Sequence, residues 1–208
     1  MDLRLYVILD RAATGGRDLV DVLDGVIAGG GRMVQLREKT WPSGRLWPVA
    51  RRLRARCRES GVTFVVNDRV DLAVALEADG VHLGQDDLPP HAARALLRPG
   101  MILGLSTHGV DQARAAQAAG ADYVAVGSMF PTATKPDFEL VGPERLRAVR
   151  PEIRVPLVGI GGITPDNAGE VIRAGADGVA VISAVCGAPD PAAATRRFLA
   201  AIAAARAC

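Results

Sequence analysis

Eight short apolar runs, each followed by an Ala-, Leu- and Arg-rich helical stretch, predict a small (β/α)8 TIM barrel, an α/β fold. Three observations carry this expectation. The runs are four to six residues long and lack polar alternation, as parallel strands covered on both faces require. The helix-to-strand junctions repeat: Ala-Gly-Ala-Asp precedes both Tyr123 and Gly178, and Glu-Ala-Asp-Gly precedes Val81. Polar residues gather at the C-terminal ends of many runs, the face on which barrel active sites are built. A doubly wound open sheet is the alternative, because alternation of helix and strand does not by itself close a barrel.

In chain order, strand one is expected at residues 4–9, so the N-terminus reads as a strand and not as a signal peptide. A helix over 19–28 leads to strand two at 33–37, and the Arg-rich helix 44–60 to strand three at 63–67. Helix 70–76 precedes strand four at 80–83, and helix 90–97 precedes strand five at 101–106. Helix 110–119 returns the chain to strand six at 123–127. A long Pro-, Thr- and Lys-rich loop over 128–142 follows, of the length common in functional lids. Helix 143–149, strand seven at 157–160, helix 165–174, strand eight at 178–182 and helix 191–205 complete the series. In the repeated Ala-Gly-Ala-Asp junctions the glycine ends the helix and the following residues turn into the strand.

The 208 residues suffice for one good core, and no composition break divides them, so one domain over 1–208 is expected. Hydrophobic residues at 49% and charged residues at 23% fit a soluble globular protein. Aromatics at 4% argue against nucleic-acid stacking platforms, and a net charge of +2 argues against a polyanion partner. The arginines between 45 and 58 have the spacing of a wet helix face, with a phosphate-binding patch as the alternative. Cys57, Cys186 and Cys208 form no metal pattern or disulfide framework, so a cytoplasmic setting fits. No apolar run reaches a membrane span. The sequence leaves the oligomeric state open, a homo-oligomer included.

The strand ends carry the chemistry. Phe64-Val65-Val66-Asn67-Asp68 and Val81-His82-Leu83-Gly84-Gln85-Asp86-Asp87 have nearly parallel endings. On neighbouring strands, about 4.8 Å apart, Asp68 and Asp87 would meet at one sheet edge. Two such carboxylates repel unless one is protonated or a cation lies between them. A hard, oxygen-liganded ion, most simply Mg2+, suits them. Each also has a local explanation: turn chemistry for Asn67-Asp68, and capping of the helix near Pro89 for Asp86 and Asp87. His82, inside its strand, reads as a hydrogen-bonded structural histidine.

In Gln35-Leu36-Arg37-Glu38-Lys39, strand alternation sends Gln35, Arg37 and Lys39 to one side, a set suited to a multiply charged anion. The competing picture is a solvated strand end with Glu38 paired to Lys39. Ser106 lacks a nucleophile elbow and reads as a hydrogen-bonding or helix-capping serine. Pro131-Thr132-Ala133-Thr134-Lys135 is either a phosphate-contacting set or an ordinary polar loop. Gly159-Ile160-Gly161-Gly162 and Val181-Ile182-Ser183-Ala184 end strands seven and eight, where barrels often bind a phosphate monoester.

Seven motifs in order at strand ends, those just quoted together with Gly104-Leu105-Ser106-Thr107-His108, resemble the thiamine phosphate synthase family over nearly the whole chain. That resemblance implies a transferase. It would join 4-amino-2-methyl-5-hydroxymethylpyrimidine diphosphate to hydroxyethylthiazole phosphate and release pyrophosphate. It implies that Gln35, Arg37, Lys39, Asn67, Ser106 and Lys135 hold the pyrimidine and its diphosphate, with Ser106, Lys135 and Arg37 nearest the chemistry. Asp68 and Asp87 would hold Mg2+. Thr132, Thr134, Gly162, Ile182 and Ser183 would hold the thiazole phosphate. One departure is Ala180, where some family members carry a serine; one hydrogen bond to that phosphate would be absent. A thiazole tautomerase of the same superfamily and a noncatalytic phosphate-binding barrel are the rival functions. Neither has a use for the full diphosphate and metal set.

Overall fold

The computed structural model describes residues 1–132 and 140–207. The eight strands are β1 (Leu5–Asp10), β2 (Met33–Arg37), β3 (Thr63–Asn67), β4 (Gly80–Leu83), β5 (Ile102–Thr107), β6 (Tyr123–Gly127), β7 (Leu157–Ile160) and β8 (Gly178–Val181). They pair in sequence order, all parallel, and β8 closes on β1. The closed barrel, and not the open sheet, is therefore the architecture. The helices around it are α1 (Leu19–Ala28), α2 (Ser43–Glu59), α3 (Val70–Ala75), α4 (Pro90–Leu96) and α5 (Val110–Ala118). They continue with α6 (Gly142–Val149), α7 (Ala168–Arg173), α8 (Ser183–Cys186) and α9 (Pro191–Arg206).

Strand alternation sorts the apolar residues into two cores. Tyr6, Ile8, Met33, Val65, Tyr123, Ala125, Val158 and Ala180 point inward and fill the barrel. Their neighbours along the strands, such as Val7, Leu36, Phe64, Val124 and Val179, point outward under the helices. Each strand is thus buried on both faces, which explains why most of the runs are apolar without polar alternation.

Element ends differ from expectation by a residue or two in most places. Strand one runs on to Asp10, because Asp10 pairs in register with Arg37 of β2. Helix α7 starts at Ala168 and not at 165. There the Asn167 side chain accepts from the Thr164 N–H (2.8 Å) and donates to the Gly162 carbonyl (3.1 Å), which holds the preceding residues in a turn. Helix α8, one turn long, follows β8.

The arginines of α2 lie on its outer face, while Leu46, Ala50, Leu53 and Cys57 face the barrel. Arg52, Arg54 and Arg56 pair with Asp18, Asp79 and Asp24, which favours the wet-face reading. Cys57 and Cys186 are buried free thiols, and Cys208 lies outside the described residues. Among the described residues no helix is long and apolar enough to cross a membrane.

Candidate active site

A cavity of about 660 Å³ opens at the C-terminal mouth of the barrel. That size suits a small-molecule site. Gln35, Arg37, Lys39, Asn67, Asp68, Asp87, Ser106, Thr132, Gly162, Ile182 and Ser183 all line it. Thr134 and Lys135 lie outside the described residues, within 133–139. The base of the loop that carries them is pinched shut: the Val141 and Gly142 amides both donate to the Ser128 carbonyl, at 2.9 and 3.3 Å.

Parallel pairing of β3 with β4, with Asn67 opposite His82, brings the two acidic turns together. The Asp68 amide donates to the His82 carbonyl at 2.8 Å, so the chain leaves β3 under the control of β4. Asp68 sits there with φ 60°, in the left-handed region. Its carboxyl is in hydrogen-bond contact with that of Asp87. Lys39 Nζ donates to Asp68 Oδ2 at 2.5 Å. Burial pushes the Asp68 carboxyl above its ordinary range; Lys39 pulls it back and Asp87 pushes it further up. The second carboxylate oxygen set is anchored too, since Asp87 Oδ2 accepts from the Gly84 amide at 2.7 Å.

Neither aspartate caps α4: its N-cap is Pro89, and no side chain bonds the helix end. The turn explanation of Asn67-Asp68 and the site explanation hold together, because the turn is what presents Asp68. Two touching carboxyls need a proton or a cation between them. This is the donor set expected of a hard divalent ion that keeps waters and substrate oxygens as its other ligands. Among the described residues no cluster of three or more His, Cys, Asp or Glu is placed to ligate a metal.

Residues 35, 37 and 39 do line one side of β2 and its extension, as alternation requires. Two partners at this strand end differ from expectation. Glu38 pairs with Arg11 (2.6 Å) and not with Lys39. Its other oxygen accepts from the Thr40 amide and hydroxyl at 2.7 and 2.6 Å. Burial alone would raise the Glu38 carboxyl, but the bonds from Thr40, Arg11 and the Trp41 amide hold it down at about 2. Arg37 forms an ion pair with Asp10, which is buried and also accepts from the Ala12 amide (2.9 Å). Sequence reasoning passed over Asp10 because it reads as the polar residue that ends a strand. Its register opposite Arg37 exists only once β1 and β2 lie side by side.

Ser106 does not cap α5, whose N-cap is Gly109. Its hydroxyl lies 2.8 Å from His82 Nε2. Gly161 and Gly162, with φ 101° and 63°, line the pocket after β7. A Cβ on Gly161 would fall 1.9 Å from Ser128 Oγ, so this turn accepts only glycine without displacing the loop after β6. Opposite, the first amides of α8 at Ser183 and Ala184 have no carbonyl within the helix to bond. Ala180 is buried at the pocket wall and offers no polar atom there.

Comparison with known proteins gives the same direction. A model of the thiamine monophosphate synthase family matches residues 5–185. The thiamine-phosphate synthase of Moorella thermoacetica is 52% identical over 195 residues, covering 93% of this chain and 93% of the relative. That of Roseiflexus sp. is 50% identical over 202 residues, covering 97% and 86%. A solved thiamine phosphate pyrophosphorylase from Pyrococcus furiosus superposes with a TM-score of 0.90 at 39% identity, over 98% of this chain and 97% of that one. A barrel mouth carrying the family's motifs in order, and these likenesses over nearly the full length, lead to one conclusion: the chain belongs to the thiamine monophosphate synthase family and is a transferase that makes thiamine phosphate.

Proposed function

We propose that the pocket works by dissociative displacement with Mg2+ held by Asp68 and Asp87. The observation that carries this is the contact between those two carboxyls beside Lys39. Bound there, Mg2+ supplies positive charge to the leaving diphosphate. Arg37, Lys39 and Lys135 would add theirs to neutralise the charge that develops on the departing oxygen. Gln35, Asn67 and Ser106 hold the pyrimidine ring. The bond between the pyrimidine CH2 and the diphosphate oxygen breaks with its electron pair on the oxygen. The 4-amino group donates into the ring and stabilises the CH2 cation, so no protein nucleophile is needed. The thiazole nitrogen then gives its lone pair to the CH2 carbon. Thr132, Thr134, Gly162, Ile182 and Ser183 hold the thiazole phosphate on the far side and aim that nitrogen. Small-molecule substrates are thus the partners, with a cytoplasmic setting as the natural one for both.

The test is Asp87→Asn. Its amide oxygen can still accept from Gly84, so the turn survives while the charge is lost. Pyrophosphate release should fall on the order of 10²–10³-fold, the usual effect of losing one transition-state charge partner. Calorimetric Mg2+ binding in the presence of pyrophosphate should weaken in parallel. Near-normal turnover and Mg2+ affinity would remove Asp87 from the metal site.

A further inference from the structure

Two of the three pocket contacts assigned to the pyrimidine ring, Gln35 and Ser106, reach into one buried chain of hydrogen bonds. Gln35 Nε2 lies 2.6 Å from the Tyr6 hydroxyl. The Tyr6 and Tyr123 hydroxyls are 2.9 Å apart. Tyr123 Oη is 2.8 Å from His82 Nδ1, and His82 Nε2 is 2.8 Å from Ser106 Oγ. Tyr6 and Tyr123 meet edge-on at 86°, and His82 stacks on Tyr123 at 26°. Gly104 makes room for this packing, since a Cβ there would fall 2.1 Å from the Tyr123 ring. The interior of the barrel offers these groups apolar neighbours and one another.

Proton counting restricts the chain. His82 is buried, and its ring meets the Tyr123 and Ser106 hydroxyls and no carboxylate, so it is held as the neutral imidazole with a single N–H. Each hydroxyl has one proton to give. If the Gln35 amide nitrogen and the Tyr123 hydroxyl both donated to Tyr6, the Tyr6 proton would have no acceptor, a costly state in a dry interior. Hydroxyls rotate and the amide can turn, and only two head-to-tail arrangements place one proton in each of the four contacts. In one, donation runs from the Gln35 NH2 through Tyr6, Tyr123 and His82 to the Ser106 oxygen. Gln35 then shows the pocket its carbonyl, and Ser106 shows its O–H. In the other, donation runs from Ser106 to the Gln35 carbonyl. Ser106 then shows a lone pair and Gln35 its NH2.

We propose that Tyr6, Tyr123 and His82 form a polarity relay that forces Gln35 and Ser106 to present opposite hydrogen-bonding character to the pyrimidine. In either arrangement one end donates and the other accepts. A 4-aminopyrimidine is complementary to such a pair, because it carries a donor amine and acceptor ring nitrogens. The same ring with hydrogen in place of the amine carries acceptors only, so in either arrangement the accepting end of the relay is left without a partner. The three buried residues are positioning residues that select the amino ring without touching it. This deepens the proposed function and rests on its placement of Gln35 and Ser106 at the ring.

The experiment measures dissociation constants for the 4-amino form of 5-hydroxymethyl-2-methylpyrimidine monophosphate and for the form with hydrogen in place of the amine, which keep the ring and carry a poor leaving group. The full-length protein should favour the amino form by about 10²-fold or more, as sites with buried polar partners do. Tyr6→Phe and Tyr123→Phe should each cut that preference at least tenfold, leaving affinity for hydroxyethylthiazole phosphate unchanged. An unchanged preference in both variants overturns the relay. Gln35→Ala and Ser106→Ala separate the two levels of the argument. If they too keep the full preference, the placement of the ring is wrong. If they abolish it while the tyrosine variants keep it, the relay alone fails. Nitrogen-15 NMR of His82 in the unmodified protein at pH 7.5 gives a reading that does not depend on any variant folding. A neutral ring, with its proton on one nitrogen or exchanging between the two, supports the relay, and a doubly protonated imidazolium overturns it.

Discussion

Asp68 holds an aspartate in left-handed backbone at φ 60° and presses its carboxyl against that of Asp87. Each feature costs stability, the backbone alone on the order of 1 kcal/mol. Residues held in this way concentrate where function requires them. Asp68→Asn tests this at the scale of one side chain. Asparagine tolerates the same backbone and removes the buried charge. Thermal unfolding should occur at the same temperature or slightly higher, while Mg2+-dependent turnover falls about 10²-fold. A drop of several degrees in unfolding temperature, with turnover kept, would show a structural carboxylate instead. Lys39 loses its partner in this variant, but it is half-exposed, and such pairs contribute roughly 0–1 kcal/mol.

At the scale of the element, β2 and the loop after it behave as a unit with two faces. Gln35, Arg37 and Lys39 face the pocket, and Glu38, between them, faces away and ties down the loop through Arg11, Thr40 and Trp41. The period of two was legible in the sequence, so the pocket-facing set was as well. The partner of Glu38 was not, because Arg11 comes from the turn after β1 and meets Glu38 only when β1 and β2 lie side by side. Linkage gives this loop a pH signature. The folded-state carboxyl of Glu38 titrates near 2, below its ordinary value of 4.5. Its contribution is therefore fully present above about pH 4.5 and is lost as pH falls toward 2. Denaturation by urea should show Glu38→Gln less stable than the parent at pH 7, with the gap closing across that acid window. A gap constant from pH 7 to pH 3 would refute the assignment. The same contrast explains the aspartates near Pro89: a capping pattern was visible in sequence, but Asp87 closes a turn on Gly84 and no side chain bonds the first turn of α4.

At the scale of the whole molecule, closure rests on β8 meeting β1. The seam pairs Leu5 with Val179, Tyr6 with Ala180 and Val7 with Val181. Gly178, at its start, lies so close to β1 that a Cβ would sit 1.7 Å from the Leu3 carbonyl oxygen. That oxygen belongs to the backbone and cannot move without disturbing the seam. Gly178→Ala should cost about 1–3 kcal/mol or more. For a chain of this size that lowers the unfolding temperature by about 2–4 °C per kcal/mol. Wild-type thermal stability in the variant would mean that the seam is looser than its geometry.

The sequence by itself determined the count and order of the strands, their burial on both faces, and which side chains stand at their C-terminal ends. These follow from local periodicity and composition, which each segment carries alone. Only the tertiary structure decided that the sheet closes, that Asp68 touches Asp87, that Asp10 and Glu38 serve as partners to Arg37 and Arg11, and that Tyr6, Tyr123 and His82 join Gln35 to Ser106. Those relations depend on strand register and on distances across the barrel. Residues as far apart in sequence as Tyr6 and Tyr123 become neighbours only when all eight strands have been placed.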